Sequence, residues 1–364
     1  MTEAEKERYY QATQWQLIWW KFRKHHLAQV ALVVLGLLYL TAIFCEFVSP
    51  YTTQTRGDGY LDAPPSKIRI FHEGQLHRPF IYDVESALDM KTFRMVYEEL
   101  DTEPIPIQFF SSGEPYEMWG LFETDMHLFT TEGAPIFLFG TDRLGRDIFS
   151  RTIYGGRISL SIGLLGVSIS FLLGLIIGGI SGYFGGVADM LIQRMIEFIL
   201  SIPSIPLWMA LSAALPQDWP VIQTYFFITI ILSLISWGVL AREVRGKLLS
   251  LREEDYVTSA RLVGSNEARI MSVHLFPSFT SHLIVTLTLM VPGMILGETA
   301  LSFLGLGMQP PAVSWGVLLQ DAQNVVTIAH HPWQLIPCLF VIVTVLMYNF
   351  LGDGMRDAAD PYSV

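Results

Sequence analysis

Nucleophiles, bases and metal-ligating side chains are sparse in this sequence, and where they occur their spacing denies them chemistry. Ser259 and His274 share one polar stretch, yet no acid is placed to orient the histidine and nothing suggests an oxyanion hole. His330 and His331 are adjacent but too few for a zinc site, and neither HExxH nor GxSxG occurs. The nearest approach to a phosphate-binding loop runs from Gly238 to Leu248. Seven residues rather than four separate Gly238 from Gly246, and Leu248 stands where a Ser or Thr must meet magnesium. The chain alone is therefore expected not to hydrolyse ATP, to have no catalytic residue and to bind no metal or cofactor. Cys45 and Cys338 lack metal or redox spacing and read as two buried thiols, a disulfide being the weaker reading.

Ionisable groups inside apolar runs are the other place to look, because a charge at mid-bilayer is costly. Arg194 and Glu197 lie three apart on one helical face and can neutralise each other. Glu298 stands near the outer part of the fifth apolar run and, with Ser302 and Phe303, is a candidate for lining a gate or pathway. A proton relay needs a longer file of such groups.

Composition supplies the elements that must position these residues. Apolar side chains make up 51% of the 364 residues and charged ones 16%. Several uncharged runs approach the roughly 20 residues that cross about 30 Å of hydrocarbon as a helix. Six candidate spans follow: residues 28–48, 159–182, 191–215, 226–240, 282–306 and 335–351. Arg194, Glu197, Pro203 and Pro206 interrupt the third, and the fourth is short. Lys21, Arg23 and Lys24 precede the first span, while Arg242, Arg245, Lys247, Arg252, Arg261 and Arg269 fall between the fourth and fifth. If both groups are cytoplasmic, an even number of spans separates them and both termini lie inside. Residues 1–27 read as a cytoplasmic amphipathic lead, with Tyr9, Tyr10, Trp15, Trp19 and Trp20 placed for an interface. Residues 28–48 read as a retained anchor, since no small-x-small cleavage site follows.

Residues 49–157 differ in kind. Seventeen acids accompany ten Lys and Arg there, and long loops translocate regardless of their cations, so this segment is expected outside. Short β-branched or aromatic runs at Lys67–Phe71, Phe80–Val84, Ile105–Phe110 and Ile136–Phe139 predict strands, and Leu88–Leu100 has the composition and spacing of a helix. The expectation is a small α+β extracytoplasmic cap, either a surface for a partner or a simple cover. The remainder divides into a transmembrane core, 158–351, with a cytoplasmic loop at 241–280, and a cytoplasmic tail, 352–364.

Within that loop, Tyr256–Pro277 is longer and more polar than a chain reversal between two spans requires. Glu253, Glu254 and Asp255 suit the positive end of a helix starting at Tyr256. Gly264 breaks it, Glu267–Val273 form a second helix, and Pro277 stops that one. Two short helices joined at a glycine make a knob. Its small residues Ser259 and Ala260 admit another protein closely, and Tyr256 and Val257 offer apolar contact; a surface hairpin with no partner is the competing reading.

Thr258-Ser259-Ala260, three residues, Gly264, nine residues, then His274-Leu275-Phe276-Pro277 resembles the EAA loop of binding-protein-dependent ABC importer permeases, whose pattern is EAA, three, G, nine, I-x-L-P. Thr258, Ser259, His274 and Phe276 depart from it; Ala260, Gly264, Pro277 and the spacing keep it. Three further strings are similar to dipeptide, oligopeptide and nickel permeases of the "C" type. The first is Gly140-Thr141-Asp142-Arg143-Leu144-Gly145-Arg146-Asp147 with Ser150-Arg151 and Gly156-Arg157-Ile158-Ser159-Leu160. The second is Glu298-Thr299-Ala300-Leu301-Ser302-Phe303-Leu304-Gly305-Leu306-Gly307 with Gln309-Pro310-Pro311 and Ser314-Trp315-Gly316. The third is Asn349-Phe350-Leu351-Gly352-Asp353-Gly354-Met355-Arg356-Asp357-Ala358 with Asp360-Pro361. The resemblance runs almost continuously from Gly140 to Pro361, plus the first span, and leaves residues 49–139 aside.

The resemblance implies an all-α integral membrane protein of the type I ABC importer permease kind, with six spans and the cap inserted, in the cell inner membrane. It implies a second, similar permease as heterodimer partner, two cytoplasmic subunits that bind ATP and magnesium, an extracytoplasmic solute-binding protein, and no nucleic acid. In that scheme Tyr256, Val257, Thr258, Ser259, Ala260, Arg261, Gly264 and Pro277 form the ATPase-coupling loop. Gly140, Thr141, Asp142, Gly145, Arg146 and Asp147 form the outer signature block. Peptides are the expected cargo, with nickel complexes or oligosaccharides as alternatives. A secondary transporter would call for internal repeats and paired interrupted helices, which the sequence does not display; a non-transporting assembly subunit is the other alternative.

Overall fold

Leucine, isoleucine and valine dominate the long apolar runs, and the computed structural model, which describes residues 12–359 apart from 73, 91–93, 101–102 and 217, folds them as helices. In chain order these are α1 (Gln14–Phe22), α2 (His26–Ile43) and one turn α3 (Cys45–Val48), then, after a β-rich segment, α4 (Ile148–Phe184), α5 (Gly186–Ser201), α6 (Ser204–Ala213), α7 (Val221–Leu251) and α8 (Asp255–Leu262). Single turns α9 (Glu267–Arg269) and α10 (Phe276–Ser278) lead into α11 (Thr280–Phe303), followed by α12 (Trp315–Gln320), α13 (Val325–His330) and α14 (Ile336–Ala359). Among the described residues, 5 helices are long and apolar enough to cross a membrane, or 6 if the α5–α6 pair, bent by 84°, counts as one span. The bend has a local cause. Pro203 cannot donate a backbone N–H and drives Ile202 into extended conformation, ψ 128. The expected third span is thus interrupted by a sharp bend, and the expected short fourth run is part of a helix of 31 residues.

The chain packs as two units. The first takes the chain up to Gly36, Ile162–Glu298 and everything from Val343. Here α4 carries glycines at 174, 178 and 182, one per turn on one face. A Cβ added at Gly178 would lie 2.5 Å from the Ala241 carbonyl oxygen of α7, and one at Gly182 would lie 2.8 Å from that of Arg245. Small residues at this spacing let two helix backbones touch, which is how helices associate where lipid offers no hydrophobic drive. Ser170 Oγ donates to the Ser233 carbonyl at 3.1 Å and Ser233 Oγ to that of Gly166 at 3.0 Å, tying the same pair. α1 buries Phe22 against Ala28 and Ala358 and leaves Trp15, Trp19 and Trp20 exposed. Tyr9 and Tyr10 lie outside the described residues, as do Asp360 and Pro361.

The second unit takes Leu37–Ser161 and Thr299–Ile342. Its antiparallel sheet, in the order β1 (Arg69–His72), β2 (Gln75–Ile81), β5 (Ile105–Met118), β6 (Phe122–Thr131), stands beside a separate hairpin of β3 (Val84–Asp89) and β4 (Arg94–Glu99). Ile81, Ile107, Phe129 and Ile136 form its core. The expected helix at Leu88–Leu100 is therefore corrected to a hairpin. Cross-strand pairing and Tyr97, whose hydroxyl donates to the Leu61 carbonyl at 2.5 Å, override helical composition. No helix occurs among the described residues from 49 to 147, which are β rather than the expected α+β. Ile136–Phe139 is not a strand either. The Ile136 N–H donates to Tyr51 Oη and that of Phe137 to Ser66 Oγ, both at 2.9 Å, so side chains take the place of a ladder. Cys45 and Cys338 are free thiols, the first buried.

Candidate functional site

The knob is built as the sequence predicts in its first half. Glu254 caps α8 with extended backbone, φ -67 and ψ 149, and Asp255 occupies the first turn. The helix ends at Val263, and Gly264 follows at φ +86. The Gly264 N–H donates to the Arg261 carbonyl at 2.9 Å and that of Ser265 to the Ala260 carbonyl at 3.1 Å. This is a Schellman closure, which satisfies the last carbonyls and needs a left-handed residue at its centre. Asn266 then caps the next turn, its side chain accepting from the Arg269 N–H at 2.8 Å.

In the second half the expected helix over Glu267–Val273 is present but runs further: the α9 turn continues as a π-helix over Ile270–Leu275 and on into α10. Pro277 stops nothing: it sits inside α10, and the break comes at Phe279, φ -124. The wider turn lets both Ile270 and Leu275 face inward.

Val257, read as an outward contact, also turns inward. It is fully buried with Ile270, Leu275, Phe279 and Leu283 against Tyr183 of α4 and Leu240, Val244 and Leu248 of α7. Burying a side chain of this size contributes about 1.5–3 kcal/mol, so Val257, Ile270 and Leu275 together fix the knob rigidly to the helix ends. Arg261 adds its guanidinium over the Tyr183 ring at 5.4 Å. Nearby, Asp189 of α5 accepts from Arg245 Nε and Nη2 of α7 at 2.5 and 2.6 Å. Tyr256, Thr258, Ser259 and Arg261 are exposed and Ala260 is half-buried. The most exposed large apolar residues are two that sequence reasoning missed, Leu262 at 84% and Val263 at 86%. Their signal was present as an apolar pair directly before a helix-ending glycine.

The block from Gly140 to Asp147 is a buried latch in the second unit. Asp142 accepts from the N–H groups of Leu144 and Arg146, both at 2.9 Å, from Arg146 Nε at 2.8 Å, and from Arg151 Nη1. Thr141 Oγ1 accepts from the Ala63 N–H at 2.7 Å. Gly140 and Gly145 take left-handed backbone where any Cβ would strike the carbonyl oxygens of Ala63 and Gly57, at 2.6 and 2.7 Å. Asp147 caps α4, accepting from Ser150 N–H and Oγ at 2.8 and 2.6 Å. Burial, with some help from the Asp142 charge, pushes the Asp147 carboxyl up to about 6 even though Ser150 and Phe149 donate to it.

Glu298 is fully buried in the first unit. Ser302 is a packing pivot in the second: its Oγ accepts from the Met308 N–H at 2.9 Å, and a Cβ added at Gly316 would meet it at 2.7 Å. The Phe303 carbonyl accepts from the Gln323 side chain. Arg194 and Glu197 pair at 2.7 Å, as their spacing predicts.

Apolar helices long enough to cross a bilayer and glycine-mediated packing between them define a multi-span membrane protein. Residues 171–362 match the model of the family described as "Binding-protein-dependent transport system inner membrane component", and residues 13–65 match "N-terminal TM domain of oligopeptide transport permease C". The oligopeptide transport system permease protein OppC of Bacillus subtilis is 31% identical over 360 residues, 99% of this chain and 93% of its own. OppC of Haemophilus influenzae is 43% identical over 224 residues, 61% and 70% of the two chains. The dipeptide transport system permease protein DppC of Bacillus subtilis is 40% identical over 224 residues, 61% and 68%. The chain belongs to the family of binding-protein-dependent transport system inner membrane components.

Proposed function

We propose that this chain is the membrane-spanning permease subunit of an ATP-driven importer of peptides that works by alternating access. Similarity along nearly its whole length to an oligopeptide permease carries this reading. In it, both termini and the knob are cytoplasmic, and residues 49–157 lie outside. A second, similar permease completes the pathway, two separate subunits bind ATP and magnesium and perform the hydrolysis, and a solute-binding protein delivers cargo. The knob docks into an ATPase cleft, with Leu262, Val263 and Tyr256 supplying apolar contact and Ser259 and Ala260 allowing close approach. Because Val257, Ile270 and Leu275 root it in the helix ends, ATPase closure moves those helices rather than bending a loop. Coupling requires contacts that differ between two states. Glu298, Ser302 and Phe303 are the pathway candidates, while Gly140, Thr141, Asp142, Gly145, Arg146 and Asp147 hold the outer unit in shape.

The test is purification of the affinity-tagged chain from its native membrane, with mass spectrometry of the proteins that accompany it and of the cargo retained by the cognate receptor. Two ATPase subunits, a second permease and receptor-bound peptides are expected. Isolation without any ATPase subunit contradicts the assignment, and nickel complexes or oligosaccharides on the receptor redirect the cargo.

A further inference from the structure

We propose that the tip of the β5–β6 hairpin, Trp119–Phe122, is a lipid anchor that extends the membrane contact of α2 into the β-rich segment. Two independent features of the second unit point there. The turn places Trp119 at φ 53 and Gly120 at φ 69, with the Leu121 N–H donating to the Met118 carbonyl at 3.0 Å. Left-handed backbone is the usual place for Gly, Asn or Asp in a hairpin turn, and a bulky side chain there is strained. Strain of this kind persists where the surroundings determine the conformation. Here the indole Nε1 donates to the carbonyl of Ile43, the last residue of α2, at 2.7 Å, and its ring lies 5.5 Å from that of Phe44. The turn is thereby fastened to the end of a membrane-crossing helix.

The second feature is what the turn exposes. Leu121 is 78% exposed and Phe122 54%, with Phe122 edge-on to Trp119 at 6.4 Å between ring centroids. Leu37, Leu40 and Ile43 of α2 are likewise exposed, so the apolar surface of a candidate span continues onto the hairpin tip. Aromatic residues at the end of a span belong to the headgroup level of a bilayer. Glu117 and Glu123, opposite each other in register, oppose deeper entry and keep the insertion shallow.

The occupant is therefore the headgroup and upper acyl layer of the bilayer, and the test reads depth directly. In the full-length chain with Cys45→Ala and Cys338→Ala, a single cysteine at Leu121→Cys is labelled with an environment-sensitive NBD dye. The protein is placed in nanodiscs of dioleoyl phosphatidylcholine or of its analogue brominated high on the acyl chains. The control position is Leu76→Cys, exposed near the start of β2. β2 joins β5 through Phe80–Pro106 and Ile81–Ile105, at the end of β5 far from the tip; continued antiparallel to Leu76, it stays on the order of 25 Å short of the tip at about 3.3 Å per residue. A roughly two-fold loss of emission at 121 in brominated discs, with none at 76, is the expected result for a shallowly buried apolar tip. Equal emission at 121 in both lipids overturns the proposal. Equal quenching at both positions does so too, since the dye rather than the hairpin would then be seeking lipid.

Discussion

Replacing Gly264 separates the shape of the knob from its attachment. A Cβ built there meets nothing within 4 Å, so the cost of a leucine at this position lies in the backbone alone, at φ +86. Left-handed backbone costs an ordinary residue about 1–2 kcal/mol, a factor of 5–30 or so in the population that keeps the native reversal. Val257, Ile270 and Leu275 are fully buried and at about 1.5–3 kcal/mol each outweigh that cost, so the knob stays rooted while its apex opens. Gly264→Leu should insert and assemble normally but deliver less peptide per ATP hydrolysed in proteoliposomes that hold the partner subunits. Gly264→Asn, which tolerates left-handed backbone, should recover most of the ratio. A leucine variant with wild-type uptake per ATP, or an asparagine variant no better than the leucine one, would refute the reasoning.

Leu262→Ser with Val263→Ser should leave the thermal midpoint of the purified chain unchanged, because both side chains face solvent. Losing two apolar contacts of about 1.5 kcal/mol each should weaken ATPase binding on the order of a hundredfold, read by titration with the purified ATPase. Gly178→Ala should lower the midpoint, since its Cβ would lie 2.5 Å from the Ala241 carbonyl oxygen, whereas Gly293→Ala, with nothing within 4 Å, should hold or raise it. Asp147 sets a pH dependence: with its carboxyl raised to about 6 in the fold, its stabilising contribution is complete below the unfolded value of about 3.9. That contribution is lost as pH rises through about 6. Wild type should therefore lose thermal stability relative to Asp147→Asn between about pH 4 and pH 7; parallel curves contradict it.

What could be read from the sequence was local. Glu254 to Gly264 announced a capped helix and a left-handed reversal because each signal lies within a few residues of the element it controls. The inserted segment resisted for the opposite reason. Leu88–Leu100 has helix-forming residues, but Tyr97 finds the Leu61 carbonyl and the chain pairs with itself. Ile105–Phe110 reads as a short strand from its β-branched and aromatic residues. In the fold β5 continues to Met118, with a register shift between Ser112 and Tyr116. Leu262 and Val263 were overlooked because exposure depends on which face of α8 the rest of the bundle covers. The glycines at 174, 178 and 182 were visible as a pattern, yet only the position of α7 shows what they admit.

Peptide uptake into proteoliposomes is the most direct measurement. With this chain, its partner permease and the ATPase subunits reconstituted, ATP supplied on the ATPase side and receptor on the other, labelled peptide should accumulate only when both ATP and receptor are present. Accumulation driven by a proton gradient without ATP, or ATP-driven accumulation that ignores the receptor, would contradict the account.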